Sequence, residues 1–279
     1  MEHTISEKEQ LVKDQLELAK QKIDVLKTES DKRTKHSELL EKLQLFLSKG
    51  LTFSLLRILD QKELPGKAET FSPELLAAIN EIQAVVRKEA ISKMNRFPAL
   101  FEQACKSNKI VFDWDSRYPR YNFRSGFLRL DVIESKGLAR LSSTEGILGE
   151  VPADLELIIE LILQEAKRLF DRPFDSKRFL RKIRNQYLAI TRKENAPDGS
   201  SIHIRKITTR LGHNEDRFKN DEFIVDIFKL IKSKDVDIDG KRLSFQQTKD
   251  TFKGIFIPGE FGGYVGFIQF TESESKETR

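Results

Sequence analysis

Three short segments, IVFDWD (110–115), NFRSGFLRLDVI (122–133) and GLARLSS (137–143), mark a change in the sequence from helical to strand-forming character. Each is rich in aromatic and branched apolar residues, and turn-forming residues separate them, as expected of short antiparallel strands. The sequence before residue 109 has helical spacing, and further apolar helices follow residue 152. The sequence therefore predicts an α+β fold with a mixed body of helices and antiparallel strands.

The C-terminal half continues this mixed pattern. An apolar helix is expected after Pro152, and Asp175 is placed to cap a second helix over residues 176–193. A third helix is expected from about residue 216 to 232. The Asp239-Gly240 pair then lies between two alternating runs, which is a strong signal for a β-hairpin.

The order of these elements is that of a winged helix-turn-helix. In this interpretation residues 217–232 form the recognition helix and residues 236–246 form the wing. The acidic residues of that helix, Asp221, Glu222 and Asp226, suit a helix that faces a protein partner better than one that enters a DNA groove.

The N-terminal region has a heptad pattern, with apolar residues at two positions in every seven. No proline or glycine interrupts it before Gly50. Because the apolar stripe is narrow, we favour a coiled coil with another copy or a partner chain over a long amphipathic helix folded onto the body. The predicted oligomerisation residues are Val12, Leu16, Ala19, Ile23, Leu26, Leu40 and Leu47.

The predicted organisation therefore has four parts. Residues 1–50 form a coiled-coil arm, residues 51–108 a helical connector, and residues 109–270 an α+β body with a basic face. The composition of residues 271–279, TESESKETR, predicts a disordered tail.

Composition argues against several classes of protein. A single cysteine, Cys105, excludes a disulfide framework and a cysteine-based zinc site. No apolar run approaches the length of a membrane span, and the start of the sequence has no signal-peptide pattern, so we expect no membrane association and a cytoplasmic location. The four histidines have no metal-ligand spacing, and we predict no metal and no cofactor.

Charge is concentrated in one region of the sequence. The net charge of the whole chain is +5, whereas residues 171–219 hold 13 basic and 6 acidic residues, a local +7. Within that region, the helix predicted over 176–193 carries no acidic residue to balance its cations, which favours contact with a polyanion. The candidate nucleic-acid-binding residues here are Lys177, Arg178, Arg181, Lys182 and Arg184, on the helix that also carries Arg192 and Lys193.

A second basic patch is predicted in SRYPRYNFRSGFLR (116–129). Its candidate contacts are Arg117, Arg120 and Arg124 for phosphates and Tyr121 for stacking on a base. The alternative is an amphipathic strand pair, with Phe123, Phe127 and Leu130 facing inward and the arginines outward.

Two metal-dependent alternatives rest on short acidic patterns. Asp115, Glu134 and Lys136 form the skeleton of a restriction-type nuclease site, although ESKG (134–137) also suits a tight hairpin turn. The run DVDIDG (235–240) imitates the start of a calcium loop but has Gln246 at the position that requires a glutamate.

These features favour a non-enzymatic assembly subunit. Its coil would join another chain, as a homo- or hetero-oligomer, and its basic helix would bind nucleic acid, most readily a DNA backbone. The alternatives are a protein-only scaffold or accessory subunit of a larger ATPase or defence complex, and a magnesium-dependent nuclease.

Overall fold

The computed structural model describes residues 37–60, 73–259 and 261–273. The fold is mixed α+β, with 51% helix and 22% strand and antiparallel sheets, which confirms the predicted fold class at this level. The chain divides into two compact units, Met1–Ala90 and Ile91–Arg279. In the described part of the chain, no helix is long and apolar enough to cross a membrane.

The first unit is helical. Residues 37–48 form helix α1, α2 spans Thr52–Leu59, and α3, which continues past the division, spans Pro73–Asn95. Five buried side chains make the core of this unit: Leu43, Leu55, Leu59, Ile79 and Val86.

The heptad residues of the predicted coil mostly lie outside this description. Val12, Leu16, Ala19, Ile23 and Leu26 fall before the first described residue. Leu40 and Leu47 are exposed on α1 and take no part in the buried core. The coiled coil therefore remains a prediction.

The second unit begins with a helix packed on a four-stranded antiparallel sheet. Helix α4 is Phe97–Ser107, and the strands in spatial order are β1 Arg120–Phe123, β2 Leu128–Ile133, β3 Leu138–Ser143 and β4 Gly146–Pro152. A 3-10 turn at Glu134–Lys136 joins β2 to β3, as expected for ESKG.

An aromatic cluster fixes α4 to this sheet. The ring centroid of Phe101 lies 4.8 Å from that of Tyr121 and 5.7 Å from that of Phe112. Phe123, Phe127 and Leu130 are buried, as the strand-pair interpretation required. Because α4 belongs to this core, the second unit starts well before residue 109, where the body was predicted to begin.

The rest of the unit alternates helices with a five-stranded sheet. The helices are α5 Leu155–Phe170, α6 Ser176–Lys193, α7 Ile204–Asn214 and α8 Asn220–Ser233. The strands are β5 Ile202–His203, β6 Asp237–Ile238, β7 Lys241–Gln247, β8 Ile255–Ile257 and β9 Gly263–Glu272. Their order is β5-β9-β7-β6, with β8 also paired to β9.

The predicted hairpin forms between β6 and β7. Both turn residues have positive φ, 51° at Asp239 and 71° at Gly240, as a two-residue hairpin turn requires. However, β7 also pairs along its length with β9, so residues 241–247 form an inner strand of the sheet. The prediction of an extended wing at 236–246 is therefore wrong.

Helix α8 lies inside the unit. It packs against α5, α6 and β8, and it buries Phe223, Ile224, Val225, Ile227 and Leu230. The exposed recognition helix predicted at 217–232 is therefore also wrong, because the surface that would enter a groove is covered.

The acids of α8 pair with arginines of α5 and of the residues after it. Arg168 bridges Asp221 and also lies 2.7 Å from Glu222, and Arg172 lies 2.7 Å from Asp226. The partner expected for this acidic helix is thus another part of the same chain.

The C-terminal residues begin within the sheet. Thr271 and Glu272 end β9, although they belong to the predicted tail at 271–279. Residues 274–279 lie outside the described part of the chain.

Candidate nucleic-acid interface

The basic helix α6 forms where the sequence predicted it. Asp175 caps its first turn, with the side-chain oxygen accepting a hydrogen bond from the backbone N–H of Arg178 at 3.0 Å. The predicted apolar face is buried and consists of Phe179, Leu180, Ile183, Tyr187 and Ile190. This face fixes which residues of the helix point to solvent.

The exposed face follows from the helical repeat of about 100° per residue. Opposite the buried stripe lie Arg178, Arg181, Asn185 and Arg192, and Lys193 lies at the border of this face; all five are exposed. From Arg178 to Arg192 the face is about 21 Å long at 1.5 Å per residue. Lys177 and Arg184 lie on the same side of the helix as Arg181, from which they are four and three residues away, at one border of the exposed face.

Three of the seven cations have acidic partners from elsewhere in the chain. Lys177 lies 2.6 Å from Asp235, and Lys182 lies 2.6 Å from Glu215. The third is Arg184. The helix itself contains no acid, but the fold supplies these partners, so absence of acids within a helix does not by itself leave its cations free.

Arg184 is a structural residue. Its side chain is 8% exposed, and its two terminal nitrogens donate to the two carboxylate oxygens of Asp198 at 2.6 and 2.5 Å. Its guanidinium also lies 4.8 Å from the centre of the Phe270 ring. The hydrogen bonds to Asp198 raise the pKa of Arg184 and lower that of Asp198. Its assignment as a phosphate contact is therefore wrong.

The other four cations of α6 remain available. Within the described part of the chain, Arg178, Arg181, Arg192 and Lys193 make no ion pair. Arg210 of α7 lies beside this face and donates to the side-chain oxygen of Gln186 at 3.1 Å. We refer to Arg178, Arg181, Arg192 and Lys193 as the basic face.

The second predicted patch is only partly exposed. Tyr121 is 3% exposed within the aromatic cluster, and burial raises its pKa to about 12, so its assignment as a base-stacking residue is wrong. Arg120 lies 2.8 Å from Asp131. Arg117 and Arg124 are exposed, and the guanidinium of Arg124 lies over the Phe170 ring at 5.4 Å.

The structure does not bring the nuclease candidates together. Asp115 accepts a hydrogen bond from Asn122, which pairs with Arg129 near the start of β2. Glu134 and Lys136 follow the other end of β2, about 16 Å away at about 3.3 Å per residue. A shared magnesium ion needs ligands within a few ångströms, so this prediction is wrong.

The aspartates of the calcium-like run have other partners. Asp235 accepts from Ser176 at 2.5 Å and pairs with Lys177, while Asp237 and Asp239 belong to the hairpin. Among the described residues, no group of three or more potential ligand side chains is arranged to hold a metal ion.

Comparison with protein families, with curated proteins and with solved structures finds no match for this chain.

Proposed function

We propose that this chain is a non-enzymatic assembly subunit that binds the backbone of nucleic acid through the basic face of α6. The observation that carries the proposal is the set of four cations without ion-pair partners in the described chain, aligned along about 21 Å of one helix. Phosphates recur every 3.4 Å or so along each strand, so a face of this length can meet several of them.

The surrounding fold supports backbone contact without base readout. We include a winged-helix-like order of elements in the proposal, because α6, β5, α7, α8 and β7 follow one another and β9 pairs with both β5 and β7. The hairpin at 236–246 is not the wing of this arrangement. The usual reading helix of such an arrangement, α8, is covered by α5. Contacts from an exposed helix surface to phosphates give affinity without sequence preference.

The N-terminal heptads complete the proposal. A coiled coil built from residues 1–50 would join this chain to a second copy or to a partner chain. Sedimentation of the full chain and of a variant lacking residues 1–36 tests this. If both proteins sediment as monomers at micromolar concentration, the coiled-coil prediction is contradicted.

The nucleic-acid part is tested by fluorescence anisotropy with a labelled 20-base-pair duplex and a labelled single strand of equal length. The expected result is salt-sensitive binding that weakens when Arg178 and Arg181 are replaced by alanine. Flat titrations at low salt contradict it, and would leave the basic face to an acidic protein partner.

A further inference from the structure

A second candidate site lies around Trp114, on a surface that differs in charge from the basic face of α6. This residue is the only tryptophan in the chain, and it is 97% exposed. Phe252, another aromatic residue, is 95% exposed, but Trp114 differs in lining a large cleft. Exposed aromatic rings that line a cleft are frequent contact residues in protein interfaces.

The loop that carries Trp114 is held in place on both sides of the ring. The Asp113 carboxylate accepts from the backbone N–H groups of Ser125 at 2.9 Å and Gly126 at 2.6 Å. The Asp115 carboxylate accepts from the side chain of Asn122 at 3.0 Å. The ring is therefore presented by an ordered loop, and a ligand bears less of the entropic cost of fixing it.

The cleft beside Trp114 has a volume of about 1210 Å³. One wall comes from the four-stranded sheet and includes Arg129 and Arg140, and the other comes from β8, β9 and their connection and includes Phe256 and Tyr264. Small-molecule pockets are usually about 300–1,000 Å³ and bury most of the ligand's surface. An open cleft of this size suits an extended polymer segment.

The charge of the residues that line the cleft indicates whether it suits a nucleic-acid backbone or a peptide. Arg140 lies 2.8 Å from Glu150, and Arg129 lies 3.0 Å from Asp131, an acid that it shares with Arg120, so each cation of the sheet wall has an acidic partner. A third acid, Glu145, lies 2.6 Å from Arg205.

Asp113 and Asp115 are the exception. Neither has an ion-pair partner within the described residues, and they flank the exposed ring directly in sequence. These two acids outnumber the one positive charge left by the shared Asp131, so the net charge around the cleft is negative, with both unpaired acids next to Trp114, which disfavours a phosphate backbone. A cation placed over an indole face gains from the ring, and two acids adjacent in sequence add longer-range attraction.

We propose that this cleft binds an extended segment of a partner protein that places a lysine or arginine side chain over Trp114, near the acids Asp113 and Asp115. This activity goes beyond the proposed nucleic-acid binding and uses a different surface of opposite charge. It gives the subunit one contact for a polyanion and another for a basic peptide.

The intrinsic fluorescence of Trp114 tests the proposal directly, since no other tryptophan contributes. The probes are blocked octapeptides of alternating glycine and arginine, glycine and lysine, or glycine and glutamate, and a twelve-nucleotide oligo-dT. The two cationic peptides are expected to shift and quench the emission with saturation, whereas the glutamate peptide and oligo-dT leave it unchanged.

Variants locate the contact by anisotropy of the labelled glycine-arginine peptide. Trp114→Ala is expected to weaken binding at least fivefold, and Asp115→Asn, which keeps an oxygen for Asn122, at least twofold. Phe252→Ala is the matched control, because it removes an equally exposed ring outside the cleft lining, and it should leave binding unchanged.

Two results would overturn the proposal. One is unchanged Trp114 emission up to millimolar concentrations of both cationic peptides. The other is an equal response to oligo-dT, which would make the cleft a nucleic-acid site. Neither depends on the basic face, so this test and the Arg178/Arg181 test fail independently.

Discussion

Replacing Arg178 and Arg181 by alanine should halve the salt dependence of nucleic-acid binding while leaving the fold intact. Both side chains are exposed on the first half of α6, and neither has an ion-pair partner in the described chain. Alanine is the best helix former, and cations near a helix N-terminus oppose its dipole. The thermal midpoint of the variant should therefore equal or slightly exceed that of the wild type.

The magnitude follows from counterion release. If all four residues of the basic face meet phosphates of a duplex, the slope of log K against log salt is about −3.6, and two contacts give about −1.8. Between 50 and 200 mM salt the wild type should then lose about 150-fold in affinity, and the variant about 12-fold.

The assay is anisotropy of the labelled duplex at four or more salt concentrations. Lys106→Ala with Lys136→Ala is the matched control, since it removes two exposed cations from α4 and the β2–β3 turn. This control should keep the wild-type slope. If the Arg178/Arg181 variant keeps it as well, α6 does not carry the phosphate contacts and the reasoning fails.

The remaining predictions concern groups that hold the second unit together. Asp198→Asn should lower the free energy of unfolding by about 2–3 kcal/mol at pH 7, because it leaves the buried guanidinium of Arg184 without its anion. Since the folded-state pKa of Asp198 is lowered, this contribution is fully present above its unfolded pKa of about 3.8 and is lost as pH falls through the lower folded-state pKa; the difference in stability between wild type and variant in urea denaturation should therefore shrink progressively below about pH 4. Arg168→Ala should cost about 3–5 kcal/mol in the same assay, because three carboxylates around it lose their common partner; a loss under 1 kcal/mol would refute the importance of this network. Burial raises the pKa of the Cys105 thiol to about 12, so a thiol reagent at pH 8 should label the native protein far more slowly than the urea-unfolded chain, and equal rates would contradict the buried position.

Local signals in the sequence were sufficient for much of the fold. The cap at Asp175 and the apolar spacing of the following residues placed α6 at its observed bounds, and the Asp239-Gly240 pair placed the β6–β7 turn. These signals depend on neighbours within a few residues, so one sequence contains all the information they need. The pattern of aromatic and charged residues in 116–129 likewise predicted a strand pair with Phe123 and Phe127 inside, and both are buried.

Long-range pairing could not be predicted in the same way. The partners of Lys182 and Arg184 are 33 and 14 residues away, and a period along one helix gives no sign of them. The acids of α8 suggested a partner, but only the fold shows that it is Arg168 and Arg172. Charge counting therefore overestimated the number of free cations on α6.

At Trp114, by contrast, the sequence contained no sign of the candidate site that the structure brings together. A tryptophan between two aspartates in a strand-like run has the composition of a half-buried strand, and no local pattern distinguishes it from an exposed loop. Its significance comes from hydrogen bonds to residues 122–126 and from a second wall more than 100 residues later in the chain.

The pairing of α6 with later acids also has a consequence for synthesis. The ribosome makes all seven cations of this helix before Asp198, Glu215 or Asp235 exists. At about 5–20 residues per second, the last of these acids follows Lys177 by several seconds. We expect the nascent chain to pass through a stage in which α6 is more strongly cationic than in the finished protein, so premature contact with ribosomal RNA is most favoured before translation reaches residue 198.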